Sequence, residues 1–368
     1  MVAIFSSQRC SNTYRFTRCV NSFPLSPSRV SRVSTVPLSV LDLASISAGD
    51  SVGQSLQNCV SLAQRAEELG FTRVWYAEHH NFESIASSAT SVLIAHVAAN
   101  TSRIRLGAGG VMLPNHSPLV IAEQFGTLAS LHPGRIDLGL GRAPGTDQVT
   151  MRAMRRDPRA SEDFADDVVE LQAFLSDTSR VAGVNAMPGR GTHVPLYILG
   201  SSLYGAQVAA HFGLPFAFAS HFAPTHLLDA LRIYRERFSP SAQLSEPYAM
   251  ASMNVIAADT EESALRQKEL RRRNFTRALF SRQGQKLTDE EVLEVLNTPQ
   301  GAHVDQMFTY AAVGTADVVK AGIEEFAELT QANEIITAHH CESGTARIRS
   351  LEILASATHL SPREPVLQ

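Results

Sequence analysis

Short β-rich runs recur along the chain at Pro37–Leu43, Arg73–Ala77, Ile104–Val111, Arg135–Leu140, Val194–Leu199, Phe216–Ser220, Tyr248–Ala257 and Glu334–Ala338. Between them the apolar positions switch to helical spacing. Leu56, Val60, Ala63 and Leu69 fall at helical intervals and stop at Gly70, a residue suited to the left-handed turn that ends a helix. Ala89–Ala99, Leu119–Leu131, Asp163–Leu175, Leu203–Phe212, Thr225–Phe238, Ala316–Leu329 and Ala346–Ala357 repeat the pattern. Strands alternating with helices imply βαβ units on a parallel sheet. Eight repeats ending in a helix predict an α/β fold, a (β/α)8 TIM barrel over residues 37–360. Asp177–His193, after strand four, and Asp259–Ala312, after strand seven, break the rhythm and read as insertions. The second is long enough to be partly helical and to cover a site as a lid.

The barrel expectation carries a test within the sequence, because barrel enzymes place their chemistry on the loops that follow strands. Here Glu78-His79-His80, Gly109-Gly110 with Asn115-His116, Arg142, Gly200-Ser201-Ser202, Ser220-His221 and His339-His340 all follow strands. Glu67-Glu68-Leu69-Gly70 and His132-Pro133-Gly134-Arg135, on the other side, read as ordinary turns. The asymmetry points to an enzyme.

Composition changes this picture mainly at the amino terminus. Residues 1–36 hold five arginines, eight serines and no acid, the composition of a transit peptide or a disordered leader. A mitochondrial or other organellar location follows if it is a transit peptide, and a cytoplasmic one otherwise. Without it the chain has 27 basic against 36 acidic residues, so nothing favours nucleic acid or an anionic membrane. No apolar run approaches the roughly 18 residues of a membrane span. Cys10, Cys19, Cys59 and Cys341 show neither disulfide-framework nor zinc spacing. Residues 361–368 read as a short tail.

Three motifs carry candidate chemistry. Gly200-Ser201-Ser202-Leu203-Tyr204-Gly205 runs from a strand into a helix, where small residues, hydroxyls and backbone N–H groups suit a phosphate; a plain serine cap is the bland alternative. Gly139-Leu140-Gly141-Arg142-Ala143-Pro144-Gly145 departs from the dinucleotide fingerprint: its third glycine comes late and Pro144 sits where a helix should open. Its useful residue is Arg142, a cation at a strand end. Gly107-Ala108-Gly109-Gly110 is unusual for a strand and marks either an irregular strand or the close approach of a flat ligand. Thirteen histidines invite a metal reading, but adjacent pairs on extended backbone point to opposite sides, so only one of His79 and His80 faces the barrel axis.

Taken together, Val74-Trp75-Tyr76-Ala77-Glu78-His79-His80, Leu106-Gly107-Ala108-Gly109-Gly110-Val111-Met112-Leu113-Pro114 with His116 and Pro118, Gly134-Arg135-Ile136-Asp137-Leu138-Gly139, Gly200–Gly205, Phe212-Gly213-Leu214-Pro215 and Val313-Gly314-Thr315 resemble the bacterial luciferase-like flavin monooxygenases, from about Pro37 to Leu354. The resemblance implies a barrel that binds FMN, with Gly200, Ser201, Ser202 and Gly205 at the phosphate and Arg142 and Arg159 as its cationic partners. It implies Gly109 and Gly110 beneath the flavin ring, where the family often carries a non-proline cis peptide, and His79 as the catalytic histidine. The reaction implied is insertion of one oxygen atom from O2 into a small organic substrate through a C4a-peroxyflavin. No NAD(P)H motif is present, so a separate flavin reductase is the expected partner, and a homodimer the expected assembly. A deazaflavin (F420)-dependent hydride-transfer enzyme and a non-catalytic flavin-binding homologue are the alternatives on the same barrel.

Overall fold

The computed structural model describes residues 36–281 and 286–362. The leader expected over 1–36 lies outside the described residues except for Val36, as do residues 282–285 of the second insertion and 363–368 of the tail. In order, the elements are β1 (Leu38–Asp42), α1 (Val52–Leu69), β2 (Arg73–Tyr76), α2 (Thr90–Ala99), β3 (Arg105–Met112), α3 (Pro118–Leu131), β4 (Ile136–Gly141), α4 (Gln148–Ala153) and α5 (Phe164–Leu175). There follow β5 (Leu196–Gly200), α6 (Leu203–Phe212), β6 (Phe216–Phe218), α7 (Leu227–Arg237), β7 (Ala249–Ala257), α8 (Glu261–Phe280), α9 (Asp289–Leu296), α10 (Pro299–Gln306), β8 (Ala311–Gly314), α11 (Ala316–Thr330), β9 (Glu334–Ala338) and α12 (Gly344–Ala357).

All strand pairings are parallel, and β1–β7 with β9 close into an eight-stranded barrel, as the alternating periods predict. The ninth strand departs from the sequence reading, which assigns Ala311 and Ala312 to the insertion. β7 is nine residues long: Met250–Asn254 pair with β9 to close the barrel, and Asn254–Ala257 go on to pair with β8 outside it. At four residues, two of them alanine, β8 lacks a period of its own and is defined by the strand it extends. The insertion before it forms helices α8, α9 and α10. The other insertion holds no helix or strand between Asp177 and His193. Helix α4 was not foreseen; Asp147 caps it by accepting from the Val149 and Thr150 N–H groups.

Alternation along the strands separates two apolar clusters. Leu38, Val40, Val74, Leu106, Leu138 and Ile198 pack outward beneath the helices, whereas Leu41, Trp75, Tyr197, Ala217, Met250 and Ile336 fill the lumen. Below this apolar layer, toward the strand starts, lies a buried charged floor. Arg73 donates to Asp137 Oδ2 (2.7 Å), to Glu334 Oε2 (3.0 Å) and to the Tyr197 hydroxyl (2.7 Å). The Trp75 indole N–H donates to Asp137 Oδ2 (3.1 Å), and Tyr248 donates to Glu334 (2.7 Å). Arg105 completes the set on Asp137, so two arginines balance two carboxylates. Polar groups buried this deeply are tolerated because nearly every one is paired.

Breaking this floor from one side leaves charge uncompensated. Arg73→Met is therefore expected to lower stability by about 3–5 kcal/mol. In guanidinium denaturation this appears as a fall in midpoint at unchanged slope. A fall below about 1 kcal/mol would mean that water reaches Asp137 and Glu334, and would refute the dry-floor description.

Candidate active site

The loops that follow the strands meet around one buried carboxylate. Glu78, just beyond β2, accepts from His80 Nε2 (2.9 Å), His116 Nε2 (2.9 Å), the Met112 N–H (3.1 Å) and Asn115 Nδ2 (3.3 Å). Burial opposes its ionisation, but the hydrogen bonds from His116 and His80 outweigh burial and hold its carboxyl at about 2. Asn115 also donates to the Pro144 carbonyl (2.8 Å), and the His80 N–H to that of Gly145 (3.3 Å). The loops after β2, β3 and β4 are thereby fastened together.

His80 turns down to Glu78, and His79 turns the other way, as extended backbone requires. The His79 ring bonds the Gly145 carbonyl and packs edge-on against Phe82 at 5.6 Å. Burial lowers its pKa, against the Gly145 bond, so the ring is mainly uncharged at neutral pH. Across the mouth, His221 Nδ1 lies 2.8 Å from Ser252 Oγ. That serine already donates to the Phe218 carbonyl (2.8 Å), so Nδ1 must carry the proton and Nε2 is left free. Burial, then Arg271 and His79, push His221 down to about 3. His339 is buried and held between Ser350 (2.7 Å) and Thr337 (3.1 Å), whereas His340 makes no hydrogen bond among the described residues.

Gly109 and Gly110 sit in β3, and the peptide between them is cis. A Cβ on Gly109 would lie 2.9 Å from Trp75 Cβ, and one on Gly110 would lie 2.7 Å from the Gly139 carbonyl oxygen. Packing within the barrel therefore already demands glycine at both positions, apart from any ligand above them. Gly200 ends β5 and Gly205 lies in the first turn of α6; Cβ atoms there would approach the other glycine's Cα at 3.4 and 3.3 Å. The pair lets α6 start directly over the strand end. Ser202 occupies the helix cap position without making the capping bond, and Ser201 and Ser202 have no hydrogen-bond partner among the described residues. The exposed Arg142 guanidinium stacks 4.2 Å from the Tyr204 ring, two residues beyond Ser202, and has no acidic partner among the described residues. Arg159 is exposed and pairs with Asp157 at 3.2 Å, and none of its described contacts reaches Ser201, Ser202 or Arg142.

Helix α8 supplies a residue that the sequence reading passed over. Arg271 sits in the run Arg271-Arg272-Arg273, which looks like a solvated charged face. By exposure it is half-buried, as are Arg272 and Arg273, and burial lowers its guanidinium to about 10. Ser252 and Asn254 were also missed, although polar residues at alternate positions of the otherwise apolar β7 are a readable sign of a lumen face. Asn254 donates to the His221 carbonyl (2.6 Å) and the Met307 carbonyl (2.9 Å), which ties the loop after β6 to the end of α10. Among the described residues no group of three or more His, Cys, Asp or Glu side chains is placed to hold a metal, and no helix is long and apolar enough to cross a membrane.

Residues 36–332 match the protein family described as luciferase-like monooxygenase. The chain is 46% identical over 321 residues to a luciferase-like monooxygenase of Escherichia coli K12, covering 87% of this chain and 96% of that protein. It is 39% identical over 236 residues to the N-acetyl-S-alkylcysteine monooxygenase of Bacillus subtilis, covering 62% and 70%. Among solved structures, that of apo-MsnO8 superposes with a TM-score of 0.80 at 34% identity, over 89% of this chain and 100% of the other.

The Glu78 network sets an acid limit. Its pKa lies near 2 in the folded chain against an ordinary 4.5, so the unfolded chain binds the proton more readily in between. The stability difference between wild type and Glu78→Gln should be constant above pH about 4.5 and close as pH falls toward 2. Urea melts at stepped pH measure it; a gap that persisted at pH 2–3 would show that Glu78 is not held ionised.

Proposed function

This chain belongs to the luciferase-like monooxygenase family, and from that premise we propose that it is a two-component FMN-dependent monooxygenase. It would take reduced FMN from a separate flavin reductase and insert one oxygen atom of O2 into a small organic substrate. The observation that carries the choice of cofactor is the anion cradle where β4 and β5 end. Among the described residues, two serine hydroxyls without partners, an uncapped helix start and an arginine without an acid lie together there. Those donors fit a phosphate monoester. Arg142, Ser201 and Ser202 would hold it, with Gly200 and Gly205 letting the α6 backbone come close. Arg159 enters only by exchanging Asp157 for the phosphate. Gly109 and Gly110 would leave a flat floor for the ring.

Bound reduced FMN supplies the electrons and the site of reaction with O2. The chain's own residues do the rest. His79 keeps one ring nitrogen on the Gly145 carbonyl and offers the other, uncharged, to take or return a proton. Glu78 fixes the backbone from which His79 projects. Helices α8–α10, tied to the loop after β6 through Asn254 and Met307, would close the mouth against water when the cofactor is bound. The substrate named for the Bacillus relative supports a small organic acceptor. A homodimer belongs to the same reading and is checked by sedimentation.

Anaerobic titration with reduced FMN is the test. Arg142→Ala and Ser202→Ala should each weaken FMN about tenfold while leaving riboflavin, which lacks the phosphate, within twofold. His79→Ala should bind reduced FMN normally and lose about 10²–10⁴-fold in substrate-dependent oxygen uptake. Failure of the wild type to bind FMN in either redox state, with binding of F420 instead, would replace the oxygenase with a deazaflavin hydride-transfer enzyme.

A further inference from the structure

Among the described residues β8 alone has a neighbouring strand on only one side, since the other eight close into the ring. Its pairing with β7 sets Asn254 opposite Ala311, with the Asn254 N–H donating to the Tyr310 carbonyl (3.1 Å) and the Ala258 N–H to that of Gly314 (3.0 Å). Residues along a parallel strand bond alternately to one side and the other. The backbone groups of Ala312 and Gly314 therefore face β7, and the N–H and C=O groups of Ala311 and Val313 face away. These four outward groups have no partner among the described residues. Ala311 and Val313 are half-buried, whereas Ala312 and Gly314 are buried.

The free edge is the floor of a groove of about 530 Å³ whose walls are α8 and α11, both packed on β8. A Cβ on Gly322 of α11 would stand 2.9 Å from the Ala312 Cβ, so that side of the strand faces α11, and Ala311 and Val313 point the other way. Each wall presents an apolar side chain, Leu265 from α8 and Val318 from α11, exposed by 50% and 48%. Each also presents one charge. Lys268 lies 5.6 Å over the Phe308 ring on the α8 side, Glu325 stands on the α11 side, and neither joins an ion pair among the described residues. A row of backbone donors and acceptors at strand spacing is matched by the backbone of another strand. A small apolar molecule would touch the walls and leave the four groups unmet. Two copies of β8 cannot meet edge to edge, because each lies recessed between its two helices.

We infer that the outer edge of β8 is a docking site for an extended peptide segment of a partner protein, which joins the sheet as a further strand between α8 and α11. Side chains of an added strand alternate, so one set meets Leu265 and Lys268 and the other meets Val318 and Glu325. The segment that fits is apolar, with an acid and a base an odd number of positions apart. Its backbone supplies the pairing and its charges set the register. Phe308, which lines the groove, follows Met307, whose carbonyl accepts from the Asn254 amide (2.9 Å). A docked partner is thus held beside the segment that Asn254 ties to the loop after β6.

The experiment selects displayed random peptides of about twelve residues on the full chain, then titrates the synthetic winners by calorimetry. Val313→Pro removes one outward N–H and leaves the β7 ladder whole, since proline is tolerated on a sheet edge. It should melt as the wild type does and weaken the selected peptides about tenfold. Single N-methylation should harm binding at alternate peptide positions only, the mark of a strand paired along one side. Lys268→Glu and Glu325→Lys leave the edge intact, and each should select the opposite charge at the matching peptide position. No enriched sequence, equal affinity for Val313→Pro and wild type, or N-methyl effects without alternation would overturn the inference. So would self-association of the chain that Val313→Pro abolishes, because the edge would then belong to a second copy. If Val313→Pro does not fold, the N-methyl scan on the wild type and the two charge reversals decide alone.

Discussion

A single ionised carboxylate, buried where three loops meet, sets the geometry of the mouth. Glu78 has two oxygens and receives four donors, from two imidazoles, an amide side chain and a backbone N–H. Because so many donors converge, its charge persists despite burial, and each donor is fixed in return. The loops after β2 and β3 are joined directly, and the loop after β4 through Asn115 and His80. The orientation of His79 follows as a consequence, since the residue next to it on extended backbone is anchored downward.

The lumen divides into layers with different tasks. Its floor is a balanced set of charges around Arg73, Asp137 and Glu334, which need only each other. Above it Leu41, Trp75, Met250 and Ile336 form a dry middle. At the mouth polar groups are left without partners among the described residues: the serines before α6, one nitrogen of His221 and the ring of His340. Polar groups that satisfy one another hold a fold together, whereas those left with open valences are where a ligand is recognised.

How far this was legible in the sequence depended on whether the signal was local. The barrel follows from two periods that any short window displays, and the opposite facing of His79 and His80 follows from strand geometry, whereas the choice of His79 comes from the family resemblance. The partnership of Glu78 with His116 does not, because the two are 38 positions apart and meet only once β2 and β3 pair. β8 stayed hidden because four residues of Ala-Ala-Val-Gly carry no alternation. In the row of three arginines on α8 nothing local shows which find acids, yet Arg272 pairs with Asp305 and Arg273 with Glu269. Arg159 is the converse, a cation prominent by its place in the chain that the fold pairs with the nearest aspartate.

The way β7 is shared has a consequence for how such a protein can change over generations. Its first half closes the barrel against β6 and β9, and its second half receives β8 outside the ring. The chain therefore leaves the ring along β7, pairs Ala257 with Gly314 outside it, and re-enters the ring at β9. Everything between Ala257 and Gly314, helices α8–α10 included, is flanked by one parallel strand pair that lies outside the ring. Such a segment is an exchangeable cassette, because it can be lengthened, shortened or rewritten without touching a pairing that closes the ring. Change can proceed there while the pairings of β3, β4 and β5, and the loops that Glu78 joins, stay as they are.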